Sequence, residues 1–489
     1  MLPNRVYIFQ AFTLVAGLCL ASAAFGADVL WINSVGGNWS TAANWNTGTV
    51  PGPSDNVLLS NSGTYTVTLD VDATVASLTV GGTSGAQTLS ASSRTITINT
   101  SSAISANGIL NLINSTAAGV GILTSQGTLN IENSTINAAL VNQGLLVFRG
   151  GANNLAGSFE NQAGGTLRVI GDGSFSGAQL TLALGFTNHG LIELTSVVNA
   201  QPATLIVTSG TLVNTAGAQI NVLAGSGNGG RTLTAQLDNQ GTLNVATSLL
   251  INKASVAQID EGTINVSAGQ TLQISGGTFE INARGVLQGS GTVDVSNISF
   301  TNSGSVNPGS ALGHLSVVGS FPQTASGAVN VEIGGRTLGV DYDQLQISGN
   351  ATLAGTLNIG LTNGFRPSGG DSFEVLRFGS HTRAFDHING LDLGGGLFLQ
   401  PIFSATNMFL TTIDTRPKIV FETPRVLSGG AVEIILDGTA GRDFVIEAST
   451  NLALSIWTPI VTSTNSGAIF DLVLTDVTNF PARFFRFKQ

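Results

Sequence analysis

The chain has 489 residues, 42% of them hydrophobic, so a core can be buried, and only 9% charged against roughly 25% in an ordinary globular chain. Its net charge of −10 comes from sparse carboxylates, and the lack of any basic stripe excludes nucleic acid as a partner. Sixty-three glycines among many Asn, Ser, Thr and Val, with only 12 prolines, exclude a disordered chain and predict many short strands joined by tight turns.

Residues 1–26 read as a secretory signal. Arg5 is the positive start, Val6 to Leu20 is mostly apolar, and Ala24-Phe25-Gly26 gives a small-x-small cleavage pattern, with Ala21-Ser22-Ala23 as a second option. An uncleaved membrane anchor is the alternative. The sole cysteine, Cys19, lies inside the apolar run and follows Leu18, which is too large for a lipoprotein signal. The mature chain is therefore expected to have no disulfide and no Cys-bound metal. Export by the Sec route is expected, to the cell surface or beyond it, with the periplasm as the other option. No membrane span is expected after cleavage.

Residues 27–62 hold three of the four tryptophans, Trp31, Trp39 and Trp45, among turn residues such as Gly36-Gly37 and Pro51-Gly52-Pro53. A stack of strands needs covered ends, so this segment is expected to be an N-terminal cap. Trp39 and Trp45 are also candidates for a sugar-stacking platform, because flat aromatics bind carbohydrate rings.

Across 63–300 a weak repeat recurs: Asn, one or two residues, Gly, then alternating apolar positions. Examples are Gln126-Gly127-Thr128-Leu129-Asn130-Ile131, Asn142-Gln143-Gly144-Leu145, Asn188-His189-Gly190-Leu191, Asn239-Gln240-Gly241-Thr242 and Asn302-Ser303-Gly304-Ser305. Such a period marks a solenoid, whose units bury their apolar faces only by stacking. A right-handed parallel β-helix is the expected closure, with an array of β-sandwiches as the alternative. Asn and Gly are expected at the coil corners because both tolerate positive φ. The carboxylates here, among them Asp70, Asp72, Asp260 and Glu261, are scattered and read as surface turn residues. His189 reads as an exposed corner residue.

Composition shifts near Phe300: 16 of the 24 phenylalanines lie from there onward, so 301–413 is expected to be a C-terminal β-helix or β-rich segment of different make-up. Asp341 and Asp343, preceded by Gly334-Gly335 and Gly339, are candidates for a Ca²⁺ loop. A plain structural turn is the alternative, as it is for Asp371. His381 and His387 fit no metal spacing. Residues 414–489 show about six alternating runs, the size of a small β-sandwich.

Three stretches carry a family resemblance. They are the entry Gly37-Asn38-Trp39 to Val57, the turn Asn302-Ser303-Gly304-Ser305-Val306-Asn307-Pro308-Gly309-Ser310, and Asp341 to Gly349 followed by Leu353-Ala354-Gly355-Thr356-Leu357. With these, residues 27–413 resemble the autotransporter-passenger-like β-helical surface proteins of Gram-negative bacteria. With Phe444-Val445-Ile446-Glu447-Ala448-Ser449-Thr450-Asn451-Leu452, Trp457 and the terminal Arg483-Phe484-Phe485-Arg486-Phe487, residues 418–489 look like a small module recurrent in large exported proteins of environmental bacteria. The resemblance departs at one point, because no set of about ten-residue strands for an outer-membrane translocator is read after Pro417.

No nucleophile elbow, phosphate loop or paired-carboxylate motif is read, so no catalytic residue and no cofactor is assigned. The expected role is a non-catalytic surface or extracellular protein, structural, adhesive or part of a matrix. Its expected partners are extracellular polysaccharide or other surface proteins. A polysaccharide-binding or polysaccharide-degrading β-helix is one alternative, and a self-assembling surface-layer element is another.

Overall fold

The computed structural model describes residues 26–415 except Asn199, Gly227 and Asn228, and beyond them 420–421, 425–429, 431–437, 443–454, 456–464, 469–475 and 482–488. The signal segment 1–25 thus lies outside the described residues.

Short alternating runs become short strands, and three of them make one coil. Gly108–Ile113, Thr116–Ala118 and Ile122–Ser125 are followed by Thr128–Glu132, which pairs in parallel with Gly108–Ile113 one coil below. Repetition of this step gives sheet one, with 16 strands from Gly37–Asn38 to His387–Asn389. The other two strands of each coil form sheets two and three. These join into one 29-stranded sheet because Ala203–Asn214, Arg231–Asn239 and Gln344–Thr352 each pair with strands of both. At the usual strand spacing, sheet one is about 70 Å tall. The chain is therefore a parallel β-helix, as expected.

Alternation decides which side chains enter. In Thr128–Glu132, Leu129 and Ile131 are buried while Thr128, Asn130 and Glu132 face outward. The same phase in each coil builds one continuous core from Val29 to Leu410.

The helix does not change character at Phe300. Phe279, Phe300 and Phe321 stack on one another in successive coils, with ring centroids 5.4 and 5.7 Å apart. Parallel pairing continues as far as Asn358↔Asn389. The shift in composition reflects larger rings filling the same interior, and the β-helix itself continues past Phe300.

Both ends are covered. At the N-terminus Asp28–Leu30 pairs in parallel with Asn56–Leu59, so residues 27–62 already form an irregular first coil. At the other end Ser372–Thr382 pairs antiparallel with Asn407–Asp414, which pairs antiparallel with Leu397–Phe403. That reversal stops coil addition. In the C-terminal module, four strands, including Val432–Asp437 and Ile469–Leu474, form one antiparallel sheet. Three strands, including Asp443–Ser449 and Phe484–Lys488, form another. Phe444, Ile446 and Leu474 share a core between them, as a small sandwich requires. No helix among the described residues is long and apolar enough to cross a membrane.

Candidate ligand-binding face and the buried polar column

The repeated Asn is not a corner residue. It ends five successive strands of sheet three in the inward phase, two residues after a buried apolar side chain, as in Leu140 and Asn142 or Leu212 and Asn214. Asn142, Asn161, Asn188, Asn214 and Asn239 are fully buried and in register. Each donates Nδ2–H to the Oδ1 of the next at 2.6–2.8 Å. Each also donates to a carbonyl of the following sheet-one strand, for example Asn188 to Gln219 at 3.3 Å. An unpaired amide would be costly here, so the column satisfies itself along the axis.

The column starts above Ser125, whose buried Oγ has no partner, and ends at Asp260. Asn239 donates to Asp260 Oδ1 at 2.7 Å, and Oδ2 has no hydrogen-bond partner. The next coil presents Ile281. Burial pushes the Asp260 carboxyl up to about 7, with the donor from Asn239 opposing part of the rise. Asp260 is thus an interior residue and not the surface turn residue expected. Its place in the repeat was readable, because it occupies the Asn position three residues before Thr263.

The corner glycines have a different reason from the one expected. Gly144 does not have positive φ; a Cβ on it would lie 2.2 Å from the Gly127 carbonyl oxygen of the coil below. Gly190 over Gly165 and Gly262 over Gly241 repeat the approach at 2.2 and 2.1 Å. Corner backbone stacks directly on corner backbone, and a side chain has no room. Left-handed geometry does occur at neighbouring positions such as Gly164, with φ of +85°.

Sheet one turns a second polar column outward. Asn111 pairs with Asn130, then Val147, Arg168 and Glu193 intervene, and Asn221, Asn244 and Asn265 follow in register. The last run is Asn307, Asn330, Asn358 and Asn389, joined by amide hydrogen bonds of 2.6, 2.7 and 2.8 Å. The charges that interrupt the column pair, Arg168 with Glu193 at 2.6 Å, and beside it Arg149 meets Asp172 at 3.7 Å. Two hollows open on this face. One, of about 340 Å³, is lined by Asn111, Asn130, Glu132 and Arg149. The other, of about 270 Å³, is lined by Gln288, Asn307, Asn330, Glu332 and Asp343 with the turn Pro308 to Ala311.

Asp343 is 2% exposed. Its Oδ1 accepts the Gly313 N–H at 2.7 Å and its Oδ2 the Glu332 N–H at 2.9 Å. Burial raises its carboxyl to about 7, and the Glu332 charge adds to the rise. Asp341 instead accepts the Thr337 N–H at 3.1 Å, and hydrogen bonds from Thr337 hold it below the usual range. Asp341 thus closes its own turn, while Asp343 ties its segment to the backbone of Gly313 and Glu332. Among the described residues no three His, Cys, Asp or Glu side chains converge as a bound cation needs. Asp371 likewise closes a turn, accepting the Ser368 N–H at 2.7 Å, and pairs with Arg336.

The tryptophans pack on one another. Trp31 and Trp39 meet Trp45 edge to face, with centroids 5.0 and 4.9 Å apart, and all three are at most 1% exposed. Trp45 Nε1 donates to the Trp39 carbonyl at 2.8 Å. No face of Trp39 or Trp45 is open for a sugar ring, so the stacking platform is replaced by a lid over the first coil. His189 is exposed, as expected, and meets Thr215 Oγ1 at 3.1 Å. His381 lies between Phe378 and Phe403 with centroids 4.9 and 5.4 Å away.

No protein-family model matches the chain, and no curated protein does so at significant similarity.

Proposed function

We propose that the chain is an exported, non-catalytic element of the cell surface or extracellular matrix, a stiff rod with a structural or adhesive role. The observation that carries this reading is the use of polar groups along the axis. Inside, the amides of Asn142 to Asn239 bond to one another from coil to coil. Outside, Asn307 to Asn389 do the same. Groups that bond along a rod stiffen and present it; a hydrolase instead aims two carboxylates across one bond. Asp70 is held on Ser40 at 2.6 Å and Asp72 on the Thr95 N–H at 2.9 Å. The entry segment and the turns that resemble passenger-like surface proteins point the same way.

The test mixes the purified chain with soluble and insoluble polysaccharides and follows two readouts in the same tubes. Loss of protein from solution without new reducing or unsaturated ends is the expected result. Release of such ends overturns the non-catalytic reading.

A polysaccharide-degrading protein is the second reading, and one observation favours it. Glu332 and Asp343 line the same 270 Å³ hollow, and a carboxyl raised to about 7 is suited to general acid work. On that reading Glu332→Gln abolishes the product while the chain still folds.

A further inference from the structure

We propose that the outer face of sheet one is a binding track for an uncharged, linear polysaccharide lying along the helix axis. This rests on the non-catalytic reading and names its ligand. The case starts from the amides themselves. In the run Asn307, Asn330, Asn358 and Asn389, each link uses one N–H and one oxygen lone pair. An amide has two donors and two acceptor sites. Each interior member of the run therefore keeps one N–H and one lone pair, and Asn330 and Asn358 are part-exposed. A sugar hydroxyl both donates and accepts, so it matches such a group without any net charge.

Spacing supplies the second argument. Successive amides sit one strand apart, about 4.8 Å. That repeat is comparable to the length of one sugar ring, so neighbouring rings of an extended chain meet neighbouring amides. A compact ligand would use only one or two of these positions. Protein contacts centre on large anchors such as Trp, Tyr or Arg, and around Asn307, Asn330 and Asn358 the outward positions hold Ser305, Ala328 and Thr356 instead.

Charge supplies the third. The cations on the face are occupied, Arg168 by Glu193 and Arg149 by Asp172. Glu132 and Glu332 stand at the two hollows without adding positive charge. Acidic polymers are repelled, and neutral ones are not. The hollows beside Asn130 and Asn330 then take groups that project from the chain, such as hydroxymethyl arms or single-sugar branches.

The experiment is affinity electrophoresis of the full chain in gels holding galactomannan, xyloglucan, mixed-linkage β-glucan or polygalacturonate. Three proteins are compared: the natural chain, the triple variant Asn330→Thr, Asn358→Thr, Asn389→Thr, and Gln273→Thr on the outer face of sheet two. Threonine suits an outward strand position, and thermal melting verifies that each variant folds. The expected result is retardation in at least one neutral polymer and none in polygalacturonate. The triple variant should bind at least tenfold more weakly, and Gln273→Thr should bind normally. Equal retardation of the triple variant, preference for polygalacturonate, or no retardation in any gel overturns the track. The first of these, with no product released, leaves the adhesive reading standing; product release overturns that reading as well.

Discussion

Asp260 is the residue whose chemistry is most exposed to measurement. It occupies an amide position with a carboxyl, and its folded pKa is about 7 against an ordinary 3.8. The folded state therefore holds a proton that the unfolded state gives up near pH 4. A raised carboxyl contributes stability that is fully present below the unfolded value and is lost as pH rises through the folded one. The loss falls between about pH 4 and pH 7 and is on the order of 4 kcal/mol. Asp343 acts in the same direction. Asp260→Asn should flatten part of this dependence, because an amide Nδ2 there can donate to the Val286 carbonyl as Asn239 donates to that of Thr263. Denaturant midpoints at pH 5 and pH 8 check it. The variant's stability relative to the natural chain should rise from pH 5 to pH 8; parallel curves would sink the assignment. The sequence marked these positions but their role was misread. Asn tolerates turns so well that proximity to Gly suggested a corner, whereas the period-two phase with Leu140, Phe186 or Leu237 pointed inward.

At the scale of the element, the coil corner shows why short strands and glycines recur together. Strand existence was legible because alternation such as Thr263-Ile264-Asn265-Val266 leaves little choice of face. The reason for glycine was not, since close approach between coils is a property of stacking and not of the local chain. Gly144→Ala puts a methyl 2.2 Å from the Gly127 oxygen, which is backbone and can yield only by parting the coils. A loss of about 1–3 kcal/mol is expected, the usual size of an overpacking penalty. Gly151→Ala meets nothing within 4 Å and lacks positive φ, so it should be neutral or slightly stabilising. Thermal melts of the pair separate crowding from backbone flexibility. If both lose stability equally, the corner contact is not the cause.

The whole molecule behaves as a rod with two dissimilar lids. Each coil contacts its neighbours above and below, so stability is close to a sum of coil and interface terms. The ends are then where unfolding starts, and the tryptophan lid matters more than its size suggests. Trp45 touches both other rings and donates to the Trp39 carbonyl, so Trp45→Ala should cost about 3–5 kcal/mol at that end. Hydrogen exchange should rise first in Asn56–Leu59 and Tyr65–Leu69, and light scattering should report association through the bared coil. Unchanged exchange in those strands would show that the lid is dispensable. The stacked architecture was legible from the repeat. The union of sheets two and three was not, because it depends on three long strands, Ala203–Asn214, Arg231–Asn239 and Gln344–Thr352, turning a corner without a break.

The amides of the buried column all donate the same way, from each coil to the one that follows, and the last of them, Asn239, donates to Asp260 Oδ1. On the outside the sense is reversed, with Asn330 donating back to Asn307 and Asn358 back to Asn330. The rod therefore has a polarity, like a filament with unlike tips. Where a coil carries both columns, as with Asn214 and Asn221, a partial stack laid down from the N-terminus ends in an unmet interior donor and an unmet exterior acceptor. One laid down from the other terminus ends in the opposite pair. A nascent coil arriving at either tip meets a template that distinguishes the correct neighbour from a coil added backwards.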